Sequence, residues 1–187
     1  MVYESFPWKQ DLYRRRNEIV EYNTADHFVE DDEKTYTILE KGIFYSAFII
    51  RKLIDCGSKT SGEVDHYSIP IIMYKPLKEI NRYSRWPDEK TYDWDHYERG
   101  QANGKDVCNW LIHSYVFFLC HDGENGPMTG FFVASDFDRN KVLYYIEIDD
   151  WLKYIDFVAT DDIEESYEQY DEKKKDYVYL TKKRGND

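Results

Sequence analysis

Between Thr24 and Asp55 the apolar positions Tyr36, Leu39, Ile43, Phe44, Ala47, Phe48, Ile50 and Ile54 recur at helical intervals, the period of a helix that buries one face. The spacing predicts one long helix ending near Cys56-Gly57, with Gly57 as its C-cap. Its acidic start, Asp26 to Glu33, suits the positive end of the helix dipole. An earlier helix is expected from Asp11 to Tyr22, carried by Leu12, Ile19 and Val20, with a break at Asn23-Thr24. One residue interrupts the long apolar stripe. Arg51 falls on the same side as Phe44, Ala47 and Phe48, with Glu40 three turns back. A cation aimed at a core requires a partner, and Glu40 or Asp55 could supply it.

Further along, Ser68–Tyr74 is short, apolar and β-branched, but Pro70 restricts it to an edge strand or an extended crossing segment. Asn81–Lys105 has no period and reads as a mobile connection or a lid. A second strong helix is expected from Asp106 to about Leu119, through Val107, Trp110, Leu111, Ser114, Tyr115 and Phe118. The turn residues of His121–Pro127 end it. The period then becomes alternating. Thr129–Ser135 and Val142–Ile148 read as an antiparallel hairpin, followed by a short helix through Trp151, Leu152, Ile155 and Val158, capped by Asp149 or Asp150. Glu164–Lys175 reads as a solvated helix or linker, and Asp176–Lys182 as a last strand joining the hairpin. The expected class is α+β: a bundle of two or three N-terminal helices, then a small antiparallel sheet with an attached helix. A single domain over 1–187 is expected, mainly helical over 1–122, with the hairpin, short helix and last strand in 123–187.

Composition narrows the function. The net charge of -12 argues against a broad grip on phosphate backbones. Eighteen tyrosines mean that many buried hydroxyls will need partners. No apolar run reaches the ~18 residues needed to span a bilayer and no signal peptide is evident, so a cytoplasmic protein without a membrane partner is expected. Cys56, Cys108 and Cys120 are odd in number and form no C-x-x-C pair, which speaks against a disulfide framework.

Phosphate-loop, dinucleotide, zincin and nucleophile-elbow motifs are absent from the sequence. The zinc-type set Cys108, His113, Cys120 and His121 lacks the spacing of a structural site. Asp93, Asp95, His96 and Glu98 read as a solvated loop, so no metal or cofactor is expected. Chemistry concentrates instead in Cys108-Asn109-Trp110-Leu111-Ile112-His113, where Asn109 and His113 stand one helical turn apart. That pair resembles the Arg-polar-x-x-x-His motif of the HEPN (higher eukaryote and prokaryote nucleotide-binding) superfamily. The resemblance implies a metal-independent ribonuclease or RNA-binding protein of the kind found in bacterial toxin and phage-defence systems. His113 would handle protons, and an arginine would stabilise the phosphate. Cys108 stands where that arginine belongs. If the two long helices pack antiparallel, Arg51 could replace it, supported by Glu40 or Asp55. The alternative is a non-catalytic module with a degenerate HEPN-like helical core, docking on a basic protein partner or on a second copy.

Overall fold

The computed structural model describes residues 2–123 and 126–184. It is an α+β protein whose N-terminal helices precede an antiparallel sheet with a helix attached. Helix α1 (Ser5–Tyr22) starts a turn and a half earlier than the sequence pattern suggested. The expected long helix is two: α2 (Ala25–Glu30) and α3 (Asp32–Asp55). The break is at Asp31, which leaves the helical region (φ -158, ψ 87) and caps α3 by accepting the Lys34 N–H at 3.0 Å. Gly57 ends α3 as expected, at φ 66 with its N–H on Ile54 O at 3.0 Å. Gly42 lets α1 lie close against α3, since a Cβ there would meet Ile19 Cγ1 at 2.6 Å.

A short helix α4 (Gly62–Asp65) leads into β1 (Ser68–Tyr74), followed by β2 (Glu98–Asn103), α5 (Gly104–Ile112), β3 (Ser114–His121), β4 (Met128–Ser135), β5 (Leu143–Glu147) and α6 (Ile148–Thr160). Five strands form one sheet in the order β2-β1-β5-β4-β3, all neighbours antiparallel. β1 is therefore not an edge strand. Pro70 is tolerated because β5 pairs only with Ile72–Tyr74, leaving Pro70 opposite Gln101 of β2 alone.

Alternation along the strands divides the core. Phe117, Phe131, Val133 and Ile146 face the helices, packing with Leu53, Leu111 and Trp151. Val116, Ala134 and Leu143 face the opposite way and meet Ile80 and Tyr92. The connection from 75 to 97 thus packs across the second face, pinned by Leu77 N–H to Thr91 O and Asp93 N–H to Lys75 O, both 2.9 Å. Its far end is β2 rather than irregular chain.

The expected helix over 106–119 is corrected: α5 stops at Ile112 and Ser114 opens β3. A strand covered on both faces is apolar at nearly every position, so Tyr115–Cys120 fits a helical period and an extended one equally well. The hairpin β4–β5 and helix α6 stand where the sequence placed them, though Ile148 opens α6, with Asp149 and Asp150 inside its first turn. Glu164–Lys175 is not helical. It forms most of β6 (Ile163–Asp171), which pairs with β7 (Asp176–Lys183) as a separate two-stranded sheet, so the last strand does not join the hairpin.

Candidate functional site

Helix α5 has an inner and an outer side. Val107, Cys108 and Leu111 are buried, and Gly104 admits the Tyr154 ring so closely that a Cβ would meet it at 2.2 Å. Burial pushes the Cys108 thiol pKa up, which keeps it neutral and inert in the core. Cys108 is therefore a packing residue.

On the outer side, Asp106, Asn109, Trp110 and His113 line a cleft of about 400 Å³, closed across by Ser135–Asp138 after β4. His113 is exposed and ends α5, its N–H donating to Asn109 O at 3.0 Å while its carbonyl accepts the Asp136 N–H at 3.1 Å. Trp110 stacks flat on Tyr144 at 3.6 Å between ring centroids. The Tyr144 hydroxyl is pushed up to about 12, first by burial and then by the nearby charges of Asp138 and Asp106. Three carboxylates, Asp106, Asp136 and Asp138, line the cleft. Asp136 is partly offset by Arg139 at 3.0 Å, and Asp138 accepts from Ser135 Oγ at 2.7 Å.

The two helices do bring Arg51 to Asn109: Arg51 Nε donates to Asn109 Oδ1 at 2.8 Å. Nη1 of the same guanidinium pairs with Asp55, one turn along α3. Glu40 takes no part. It is exposed, eleven residues from Arg51 and so about 16 Å away along the helix axis, and its carboxyl pKa is raised by partial desolvation rather than lowered by a cation. Arg51, Asn109 and Asp55 therefore form one hydrogen-bonded set, His113 shares a cleft with Asn109, and Glu40 stands apart. Sequence reasoning missed the opposite wall of the cleft, Ser135–Asp138, which read as a hairpin turn. Only the β3–β4 pairing, with Ser114 opposite Ser135, brings it to the end of α5.

A second depression, of about 280 Å³, follows the free edge of the five-stranded sheet. Its floor is β3 from Ser114 to Phe118, with Phe44 of α3 on one side and Arg85-Trp86 on the other. Phe44 packs on Phe117 at 4.5 Å and Trp86 on Phe118 at 5.1 Å between centroids.

Among the described residues, no group of three or more His, Cys, Asp or Glu side chains is placed to hold a metal ion. Cys108 lies in the core, while His121 packs on the Phe28 and Tyr36 rings, so the zinc-type set does not converge. No described helix is long and apolar enough to cross a membrane. No protein-family model matches the chain, and comparison with curated proteins and with solved structures gives no match.

Proposed function

We propose that the chain is a non-catalytic protein–protein interaction module whose β3 edge receives an extended segment of a partner protein. The observation that carries this reading is the groove: an eight-residue aromatic edge strand lies beside a trough walled by Phe44 and Trp86. Such an edge offers unpaired backbone donors and acceptors together with apolar side pockets, the two requirements of strand addition. The charge of -12 adds long-range attraction for a basic partner. The alternative chemistry is disfavoured at its centre. Arg51 is already engaged by Asp55 and Asn109, and the cleft around His113 is rimmed by Asp106, Asp136 and Asp138, which repel a phosphate.

The test is a photo-crosslinking residue at Ser114 of the full chain, irradiated inside the cells that express it. A single partner polypeptide should be joined there, and Trp86→Ala, at a side chain 63% exposed, should lower the yield without unfolding the protein. Crosslinking that ignores Trp86, or no crosslinked polypeptide at all, would overturn the assignment.

One observation favours a HEPN-like, metal-independent ribonuclease instead: the hydrogen bond between Arg51 and Asn109, with His113 on the same cleft. On that reading the chain cleaves RNA in the presence of a chelator, and His113→Ala abolishes the cleavage. Under the interaction reading, RNA incubated with the wild-type chain stays intact.

A further inference from the structure

Hairpin β6–β7 lacks the cover that the five-stranded sheet has. Tyr167, Tyr170, Tyr177 and Leu180 are each at least 46% exposed, and the pair is fixed to the rest of the molecule mainly at its root. There Thr181 Oγ1 donates to Thr60 O at 3.3 Å, Lys183 lies 3.6 Å from the buried carboxylate of Asp161, and the Tyr179 ring crosses Gly57. These contacts place the odd-numbered residues of β7 toward the body and the even-numbered ones, Asp176 to Lys182, on the outer face. A two-stranded sheet on its own is marginal in water, and a third strand would stabilise it.

The two free edges differ in charge. β6 carries Glu164, Glu165, Glu168 and Asp171 and no cation, so pairing it with its own copy sets carboxylate against carboxylate. β7 has an acid at its start and lysines at its end. We infer that β7 pairs antiparallel with β7 of a second copy of this chain, about a two-fold axis at Tyr179, to build a four-stranded sheet across a homodimer. In that register Asp176 lies opposite Lys182 of the second copy, twice by symmetry, and Val178 lies opposite Leu180. The contact also relieves an existing conflict. Within the hairpin Asp176 stands directly opposite Asp171, two like charges that a lysine from the second copy would offset. Lys182 is available for this, since among the described residues its carboxylate neighbour is Glu165, 3.9 Å away, and both side chains are largely exposed. The surface is separate from the β3 groove, so its failure and the failure of the groove reading are distinguishable.

Sedimentation of the full chain between about 1 and 100 µM provides the test. A dimer is expected, with Lys182→Asp weakening it about tenfold or more and the double variant Asp176→Lys, Lys182→Asp restoring it. Circular dichroism checks that each variant keeps its fold. A monomer throughout this range would overturn the inference. So would a dimer that the single reversal leaves unchanged, or one that the double reversal does not rescue.

Discussion

The five-stranded sheet and the β6–β7 hairpin are both antiparallel, yet they are held together by different means. The larger sheet is buried on both faces, by helices on one side and by Ile80 and Tyr92 of the 75–97 connection on the other. The hairpin has little apolar cover on either face and carries ion pairs such as Lys182–Glu165 and Arg184–Asp162, the latter at 3.1 Å between well-exposed groups. Exposed pairs of this kind contribute little. The stability of the fold therefore resides in the large sheet, and the hairpin is an appendage whose order depends on its root and on what meets its edge.

The broadest challenge to that division is alkaline pH. Burial pushes up the hydroxyl pKa of Tyr154, and it raises Tyr92 and Tyr144 to about 12. Each is an acid whose folded value lies above its unfolded one, so below about pH 10 its contribution to stability is fully present. As pH rises beyond that, the unfolded chain loses these protons first, and stability falls through pH 12. Denaturant melts should shift to lower midpoints from about pH 10 upward, with the decline reduced in Tyr92→Phe. A flat profile to pH 12 would mean that these rings are not enclosed by the two layers.

Removing a core ring should cost next most. Trp151 is fully buried, donates from Nε1 to Ser46 Oγ at 3.2 Å and packs edge-on against Phe131. Trp151→Ala is expected to cost about 3–5 kcal/mol in urea unfolding. Gly104→Ala is a smaller intrusion, because the Tyr154 ring must shift to admit one methyl group. A cost of about 1–3 kcal/mol is expected, with a lower thermal midpoint.

The same contrast governs what the sequence could reveal. Gly57, the β4–β5 hairpin and the Arg51–Asp55 pair were legible because each is set by residues within a few positions of one another. β3 has a helical period in sequence because cover on both faces removes the alternation that identifies a strand. β6 gives no strand signal for the opposite reason: with neither face buried in a core, its glutamates and tyrosines show no useful period. The break at Asp31 was hidden because the apolar stripe of α3 and the acidic residues of α2 run together without a Gly or Pro between them. Arg51 and Asn109 meet because α3 packs on α5, a contact between segments nearly sixty residues apart, whereas the sequence offered Arg51 as a neighbour of His113 and only if the two helices packed antiparallel. The wall Ser135–Asp138 depends on strand pairing across some twenty residues and left no local signal.

The smallest expected effect sharpens the comparison at the hairpin. Tyr167 is 58% exposed, lies on the outer face opposite Leu180, and donates its hydroxyl to Glu165 at 2.6 Å. A ring left this open has little transfer free energy to lose, and a hydrogen bond between two exposed groups exchanges readily with water. Tyr167→Ser should therefore change global stability by less than about 0.5 kcal/mol, measured in dilute solution where the chain is monomeric. Tyr167 is on β6, away from the β7 edge, so this result should also hold at concentrations that favour a dimer. A loss approaching that of Trp151→Ala would mean that the outer face of the hairpin is covered in solution, and the division between a self-sufficient sheet and a dependent appendage would fail.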